Sequence, residues 1–303
     1  MSELGPTLEE FVRDVAGSVL GTDAIKDIEP LQLTAGEASL LLRTRTDQRM
    51  IMKVARDGAR PEVDFERTAA AMALARGAGV PVAETLAADA TYRAGPWQYL
   101  LHSYLDGIPW HRARPHARVD EVDSAHRQLA EAVLALQSVE LTGYGELDRS
   151  GQSSGADLLT GLRCRAELRL VEPRNRALFD HVLEQNVELF ADAPAATLCH
   201  DDLHHANVIF RLDGRDPVLV GFIDWDKAWA GPAESDLARM ALWDDMTGPG
   251  FWSAYGTAAL SDSAAARRIL IYQLMWCLDY DESTPRHRAD TARLGRALGV
   301  DAG

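Results

Sequence analysis

The sequence is poor in cysteine and in basic residues, and it has no long apolar run. Its three cysteines, Cys164, Cys199 and Cys277, are scattered along 303 residues, which argues against a disulfide framework and indicates a reducing, cytoplasmic location. No segment approaches the roughly 20 apolar residues of a membrane span, so no membrane partner is expected. Lysine and arginine number 31 against 46 acidic residues. Nucleic acid, which requires a basic face, is therefore not an expected partner.

The rest of the composition is that of an ordinary soluble globular protein, with 47% hydrophobic and 25% charged residues. The length is sufficient for two lobes, each with its own core. A net charge of −15 is compatible with a cationic small-molecule partner, because acidic clefts concentrate cations. Surplus surface carboxylate that serves only solubility explains the same charge.

Residues 200–224 carry the most informative pattern of the chain. Asp202 and Asn207 are separated by four residues, and Asp224 ends an apolar run that follows a polar turn at 213–216. The two apolar stretches predict a β-hairpin, which brings Asn207 close to Asp224. A carboxamide and a carboxylate oxygen then converge, as Mg²⁺ requires. Phosphoryl transfer needs this pair together with a carboxylate base, for which Asp202 is the candidate.

The segments HDDLHHANVIF and GFIDWDKAWAGPAESDLA resemble the paired signature of the aminoglycoside phosphotransferase and choline kinase-like family. Three departures are visible: Asp201 replaces the usual Gly, His205-Ala206 replaces Pro-Gly, and residues 230–232 stand where Gly-Asp-Pro is common. The resemblance implies an α+β, bilobal, protein-kinase-like fold. Residues 1–105 would form a small nucleotide-binding N-lobe with an antiparallel sheet. Residues 106–303 would form a larger, mainly helical C-lobe with the catalytic loop, the metal site and the acceptor-binding helices.

The histidine-rich loop is also open to a different interpretation. His200, His204 and His205 with Asp202 have the residue types of a zinc site, but a zinc site leaves Asn207 and Asp224 without a role. Within the family resemblance, the first histidine of the loop orders it and transfers no proton. Asp236 precedes an apolar helix and is interpreted as a carboxylate that organises the loop.

Lys53 is the candidate phosphate ligand of the N-lobe. It lies inside the apolar run 49–55, where a lysine is seldom buried without a partner, although the exposed face of an edge strand also accommodates one. In kinase-like folds this lysine pairs with a helix glutamate. The helix predicted over 61–78 offers Glu62 and Glu66, and we choose Glu66, although alignment of the helix end places the acid nearer Thr68.

Two further N-lobe segments are candidates for nucleotide contact. The small-residue turn before strand-like residues 40–44 includes Gly36 and Ser39, and it either folds over phosphates or is an ordinary hairpin turn. Residues 97–107 resemble the strand and hinge of the family. The resemblance implies that Ser103, Tyr104 and Leu105 read the nucleotide base through their main-chain groups.

The C-lobe sequence predicts helices that carry acidic residues at their ends. Apolar spacing indicates helices over 123–138, 166–171, 176–189, 235–243, 251–260, 264–280 and 284–298. In the aminoglycoside kinases that the sequence resembles, C-lobe carboxylates hold the amino groups of the antibiotic. The corresponding candidates here are Asp244, Asp279, Asp281 and Glu282, and Asp201 is a further candidate because it lies beside the proposed base. For any one of the helix-end acids, a solvated helix end is an equally simple explanation.

The sequence therefore predicts a monomeric or dimeric kinase of a small molecule. It would transfer phosphate from ATP or GTP, with Mg²⁺, to a hydroxyl of a polar, cationic acceptor such as an aminoglycoside antibiotic. One alternative is a metabolic kinase for an amino alcohol, a ketosamine or a sugar. Another is a catalytically inactive, kinase-like binding module, against which the intact set of Lys53, Asp202, Asn207 and Asp224 argues.

Overall fold

The computed structural model describes residues 6–22, 24–60, 62–212, 216–257, 262–279 and 284–302. A small N-terminal lobe is built on an antiparallel sheet, and a larger C-terminal lobe is mainly helical. The predicted α+β, bilobal, kinase-like fold is therefore confirmed. Residues 104–107 connect the lobes and span the predicted boundary at 105/106, which stays a prediction.

The N-lobe sheet presents one apolar face and one face toward the C-lobe. Its strands are β1 (Ile25–Leu33), β2 (Glu37–Thr44), β3 (Arg49–Arg56), β4 (Thr85–Asp89) and β5 (Trp97–Ser103), in the order β1-β2-β3-β5-β4. Leu40, Leu42 and Met52 are fully buried on one face beneath helix α1 (Pro6–Leu20). Because side chains alternate along a strand, Lys53 projects from the opposite face, toward the C-lobe.

The second helix of the N-lobe, α2, runs over Phe65–Gly77 and is shorter than the predicted 61–78. Asp64 adopts an extended conformation, and its side chain accepts hydrogen bonds from the backbone N–H groups of Glu66 and Arg67, both at 3.0 Å. This N-cap satisfies donors that the first helical turn leaves unpaired. The helix therefore begins at Phe65, and Glu66 lies in its first turn.

The C-lobe combines helices with short strands that frame the catalytic loop. Its helices are α3 (Trp110–Ala113), α4 (Val119–Gln137), α5 (Leu158–Arg169), α6 (Pro173–Glu184), α7 (Glu234–Met240), α8 (Pro249–Tyr255), α9 (Ser263–Asp279) and α10 (Pro285–Leu298). Its strands are β6 (Ile108–Pro109), β7 (Gly145–Glu146), β8 (Thr197–Cys199), β9 (Val208–Arg211), β10 (Val218–Phe222) and β11 (Trp229–Gly231). Short 3₁₀ helices occupy Arg114–His116, Val187–Phe190 and Trp225–Lys227.

The predicted helices are found, with one large shift in a boundary. Helix α5 begins at Leu158, eight residues before the predicted start at 166, because Asp157 caps it by accepting from Thr160 N at 2.8 Å. The apolar spacing of α4 and α9 marks the core as expected, since Leu129, Val133 and Leu274 are fully buried. In the described part of the chain, no helix is long and apolar enough to cross a membrane.

The predicted hairpin is formed by β9 and β10, which pair antiparallel with Phe222 opposite Val208. The backbone N–H of Ile223 donates to the carbonyl of Asn207 at 3.0 Å, so the pairing continues to the ends of both strands. Residues 213–215 of the predicted turn lie outside the described residues. The hairpin thus places Asn207 and Asp224 side by side at one edge of the C-lobe.

Candidate active site

The catalytic loop, residues 200–207, connects β8 to β9 and is anchored by buried hydrogen bonds. The fully buried carboxylate of Asp236 on α7 accepts from His200 N at 3.2 Å and from Asp201 N at 2.7 Å. Burial raises the pKa of Asp236 to about 7. Asp236 therefore organises the loop, in agreement with its predicted role.

His200 is a structural residue of this loop, as predicted. Its Nε2 donates to the carbonyl of Ile223 at 3.0 Å, and its Nδ1 accepts from Asp202 N at 3.2 Å. Burial lowers the pKa of His200 to about 4, so the neutral imidazole links the loop to the end of β10. Within the described residues, no three His, Cys, Asp or Glu side chains converge on a metal position, so the zinc interpretation has no geometric support.

Asp202 is a buried carboxylate held by an arginine that the sequence analysis missed. Its Oδ1 accepts from Arg239 Nε at 3.1 Å and from Arg239 Nη2 at 2.9 Å. Arg239 follows Asp236 by three residues on α7, so both side chains face the loop from one side of the helix. The signal in the sequence is the segment Asp-Leu-Ala-Arg, in which a spacing of three places Arg239 on the same side of a helix as Asp236.

Asn207 and Asp224 provide the oxygen ligands of a candidate Mg²⁺ site. Both side chains line one cavity of about 380 Å³ between the lobes. The Nδ2 group of Asn207 donates to the carbonyl of Asp202 at 3.0 Å, and this bond orients the carboxamide and fixes the spacing between base and ligand. Asp224 adopts a left-handed conformation with φ 67°, which aspartate tolerates better than most residues. One anionic and one amide oxygen fit a hard cation.

Lys53 reaches this site from β3 and pairs with two aspartates. Its Nζ donates to Asp224 Oδ1 at 2.8 Å and to Asp226 Oδ2 at 2.5 Å. The predicted pairing of Lys53 with Glu66 is wrong. Because Glu66 lies in the first turn of α2, its carboxylate instead contacts Arg149 Nη1 at 2.8 Å.

Two cavities meet at this group of residues. The cavity of about 380 Å³ is lined by Lys53, Asn207 and Ser39 from opposite lobes. A cavity of about 740 Å³ is lined by Asp202 and by the helical wall of the C-lobe. Asp224 lines both cavities. The arrangement places a carboxylate base on one side of a metal ligand and a buried lysine on the other.

Comparison with known proteins agrees with this geometry. The sequence model of the phosphotransferase enzyme family matches residues 28–270. The chain belongs to this family. No curated protein sequence matches it. The fold is shared with solved structures of low sequence identity.

Three of those solved structures illustrate the range of identity and structural similarity. A thermostable mutant of aminoglycoside phosphotransferase APH(4)-Ia, in complex with ADP and hygromycin B, is 16% identical, with a TM-score of 0.69 over 96% of this chain and 99% of that one. A protein described as a fructosamine-3-kinase from Thermobifida fusca is 19% identical, with a TM-score of 0.64 over 95% and 98%. The streptomycin–ATP complex of APH(2")-IIa is 16% identical, with a TM-score of 0.59 over 99% and 100%.

The nucleotide side of the phosphotransferase differs from the prediction at the hinge. Ser103 N already donates to the carbonyl of Glu84 at 2.8 Å, and Tyr104 N donates to the carbonyl of Arg49 at 3.2 Å. Neither N–H is available to a base in this structure, and base reading through the carbonyl groups of the hinge stays a prediction. None of Ser103, Tyr104 and Leu105 lines the described cavities, whereas His102 lines the smaller one.

Gly36 has a packing role in the turn between β1 and β2. A Cβ atom there would lie 2.5 Å from the Cβ of Ala59, and the Gly36 carbonyl accepts from Arg56 N at 2.7 Å. Close approach to Ala59 is thus sufficient to require glycine. Ser39, which pairs with Lys53 across β2 and β3, lines the smaller cavity, and contact of either residue with phosphates stays a prediction.

The predicted acceptor carboxylates are dispersed in the structure. Asp201 is wrong as an acceptor contact: its φ of 57° turns it into the interior, where Arg165 Nη2 and Ser235 Oγ donate to it, each at 2.6 Å. Asp244 is exposed and pairs with Arg286 at 2.8 Å outside the larger cavity, so it is not an acceptor contact in this structure.

Asp279 is the predicted acceptor carboxylate that does line the larger cavity. Its Oδ2 accepts from Lys227 Nζ at 2.7 Å. Asp281 and Glu282 lie outside the described residues. Of the three predicted carboxylates that the structure describes, Asp279 is thus the one that lines the larger cavity, where it is paired with a cation.

The pH dependence of kcat/KM should reflect the protonation of the Asp202 carboxylate. Burial raises the pKa of Asp202 to about 6, although the nearby Arg239 and Lys227 lower it. A base must be ionised to accept a proton, so kcat/KM should fall about tenfold per unit as the pH drops below about 6. Arg239→Met removes the nearest cation and should move this limb to higher pH. The measurement is kcat/KM between pH 4.5 and 8.5.

Arg286→Met is the matched control for this pH profile. Arg286 lines the same cavity, but its hydrogen bonds go to Asp244 and to the carbonyl of Leu242. Its removal should leave the acidic limb where it is. An acidic limb at the same pH in Arg239→Met and in the unmodified chain would contradict the assignment of that limb to Asp202.

Proposed function

We propose that this phosphotransferase transfers the γ-phosphoryl group of ATP or GTP to a hydroxyl group of a small polar molecule, with Mg²⁺. The observation that carries the proposal is the junction of the two cavities at Asp224. A nucleotide in the smaller cavity would direct its phosphates past Lys53 and Asp224. An acceptor in the larger cavity would then meet the terminal phosphate beside Asp202.

The chemistry assigned to the protein is mainly positioning and electrostatic stabilisation. Asp202 orients the acceptor hydroxyl and takes its proton as the oxygen bonds to phosphorus and the nucleoside diphosphate leaves. The hydrogen bonds from Arg239 favour the ionised form of this base and restrict its rotation. Lys53 neutralises phosphate charge. Alignment of the two reactants in adjoining cavities supplies the entropic part of the acceleration.

Asp224 and Asn207 would hold the metal at the same junction. A bound Mg²⁺ would supply positive charge that offsets the negative charge developing during transfer. In the structure, the Asp224 carboxylate is occupied by Lys53, which holds the pKa of Asp224 well below its usual range. The carboxylate is therefore anionic at neutral pH and ready to exchange a lysine contact for a metal contact.

The first candidate acceptor is an aminoglycoside or a related amine-bearing antibiotic. The family assignment supports it, together with structural neighbours whose complexes contain hygromycin B and streptomycin. The net charge of −15 favours a cationic acceptor in general terms. Asp279 is the described carboxylate that a substrate ammonium group would reach, by displacing Lys227.

A metabolic acceptor, such as an amino alcohol, a ketosamine or a sugar, is the second candidate. The observation in its favour is the charge balance of the larger cavity, where Arg239 pairs with Asp202 and Lys227 pairs with Asp279. The wall also contains three further guanidinium groups, from Arg60, Arg169 and Arg286, and four further carboxylates, from Glu62, Asp224, Asp226 and Asp290. Such a wall is less suited to a polycation than a purely acidic one. The neighbouring fructosamine-3-kinase fold is consistent with this class.

The salt dependence of the acceptor KM should separate the two classes in a phosphate-transfer screen of antibiotics and metabolites. We expect the KM of an amine-rich acceptor to rise with ionic strength, because the Debye length falls from about 10 Å at 0.1 M to about 3 Å at 1 M. Asp279→Asn should raise that KM more than it lowers kcat, if the carboxylate contributes uniform binding.

The nucleotide KM, measured in the same salt series, is the control. The aminoglycoside class would be excluded if the acceptor with the highest kcat/KM were neutral or anionic. It would also be excluded if the acceptor KM did not change with salt. Either result would leave the phosphotransfer proposal intact. Failure of every acceptor, with nucleotide bound normally, would count against the proposal itself.

A further inference from the structure

Lys53 has two carboxylate partners of different character. Both carboxylates line the two cavities, but the side chain of Asp224 is 46% exposed, whereas that of Asp226 is only 7% exposed. Asp226 is the second residue of the 3₁₀ helix Trp225–Lys227, so it belongs to the C-lobe although its partner belongs to the N-lobe. One acid is thus placed for a ligand and the other for Lys53.

Helix α2 offers a hydroxyl where a carboxylate partner was expected. Thr68 is buried, and its Oγ1 lies 3.3 Å from Asp226 Oδ1 and 3.2 Å from the carbonyl of Asp64, so these two acceptors share its single proton. Glu66 precedes Thr68 by two residues, which is about 200° around a helix, so it points away from this contact. The ion pair of Glu66 with Arg149 agrees with that direction.

We propose that Asp226 is the positioning residue for Lys53, in place of an acid on helix α2, and that Thr68 orients Asp226. The inference rests on the proposed function in one respect, namely that Lys53 binds nucleotide phosphates. Were Asp224 engaged by a metal, Asp226 would still hold Lys53 in place. The lysine of the N-lobe is then held by an acid of the C-lobe, which couples its position to the approach of the two lobes.

The electrostatics of the cluster agree with this division of roles. Burial alone would lower the pKa of the Lys53 ammonium, but Asp224 and Asp226 outweigh burial and hold it above its usual range. A buried ammonium without a partner is costly, because the protein interior solvates charge poorly. If Asp224 were engaged by a metal, the Lys53 ammonium would therefore need a second acid as its partner. Asp226 is the second acid in contact with Nζ.

Nucleotide titration of Asp226→Asn tests the proposal, with Glu66→Gln as the matched control. Calorimetry with ATP and with GTP, each with and without Mg²⁺, should show the Kd of Asp226→Asn raised about tenfold with Mg²⁺, the order expected for one charge-assisted hydrogen bond, and raised less without Mg²⁺, where Asp224 still pairs with Lys53. Glu66→Gln should bind as the unmodified chain does. An equal Kd of Asp226→Asn and the unmodified chain with Mg²⁺ would overturn the proposal.

A second measurement needs no nucleotide. The rate at which acetic anhydride labels Lys53 at one fixed pH, followed by mass spectrometry, should be slow in the unmodified chain. Asp226→Asn should raise that rate, and Thr68→Val, which preserves side-chain shape, should raise it less. This measurement decides the proposal even if the chain transfers no phosphate. Labelling of Lys53 like an ordinary exposed lysine would overturn it.

Relocation of the carboxylate separates positioning from simple structural support. Thr68→Glu combined with Asp226→Ala moves the acid to helix α2 and frees volume for it. The pair should restore nucleotide affinity and slow labelling of Lys53 relative to Asp226→Ala alone. The proposal is wrong if Asp226→Asn matches the unmodified chain in both measurements, or if Glu66→Gln reproduces its effects.

Discussion

Replacement of Asp202 by asparagine is expected to remove most phosphoryl transfer while nucleotide affinity is retained. General-base catalysis contributes about 10²–10⁴-fold, and kcat should fall by that order. The change keeps the shape of the side chain but removes the oxygen that accepts the proton. The measurement is kcat for the best acceptor, alongside calorimetric titration with nucleotide.

The structure gives a reason to expect that Asp202→Asn still folds. The carboxamide oxygen can accept the hydrogen bonds that Arg239 now makes to Oδ1, and the loop is anchored through Asp236, not through the Asp202 side chain. Loss of the negative charge leaves the buried Arg239 without its ion-pair partner, so a clear loss of stability is expected as well. Thermal unfolding of the variant therefore accompanies the kinetic measurement.

The same variant decides whether the chain is an enzyme of the proposed kind or an inactive binding module. A binding module would show equal nucleotide affinity and equally absent transfer in the unmodified chain and in Asp202→Asn. Near-normal turnover in Asp202→Asn would instead refute the assignment of the base. Arg286→Met, which alters the same cavity without touching Asp202, provides the reference for nonspecific effects on kcat.

Residues that are close in sequence were the ones whose arrangement could be predicted. Asn207 and Asp224 lie at the ends of one hairpin, so strand pairing alone places them together. Asp202 belongs to the loop that enters the same hairpin. Helices α4 and α9 were predictable for a similar reason, since a 3.6-residue apolar period is a local signal.

Contacts between distant segments were not predictable in the same way. The partner of Lys53 is 173 residues away, and the guanidinium that holds Asp202 comes from helix α7. Which side chain of α2 faces Lys53 depends on the residue at which the helix begins. The Asp64 cap sets that residue, and a shift of two residues would turn the opposite side of the helix toward Lys53. The burial of Asp201 depends on a left-handed turn and on Arg165, neither of which has a local signature.

Replacement of Asp224 by alanine should abolish the dependence of nucleotide binding on Mg²⁺. Asp224 provides the anionic oxygen of the candidate metal site, and interactions with charged groups are worth about 1.5–3 kcal/mol. The affinity for Mg²⁺–nucleotide should therefore fall about 10–100-fold. Asn207→Ala removes a neutral ligand and should have the smaller effect. Calorimetric titrations with and without Mg²⁺ measure both.

The contact between Asp224 and Lys53 leads to a second expectation, of opposite sign, for the affinity of metal-free nucleotide. In the structure, Asp224 Oδ1 accepts from Lys53 Nζ at 2.8 Å, so without metal this carboxylate competes with phosphates for the ammonium group. Asp224→Ala removes the competitor and also the repulsion between carboxylate and phosphate. Metal-free nucleotide should therefore bind the variant at least as tightly as it binds the unmodified chain. Equal affinities of variant and unmodified chain for Mg²⁺–nucleotide would show that Asp224 and Asn207 do not form the metal site, because a ligand that contributes an anionic oxygen cannot be lost without weakening the complex.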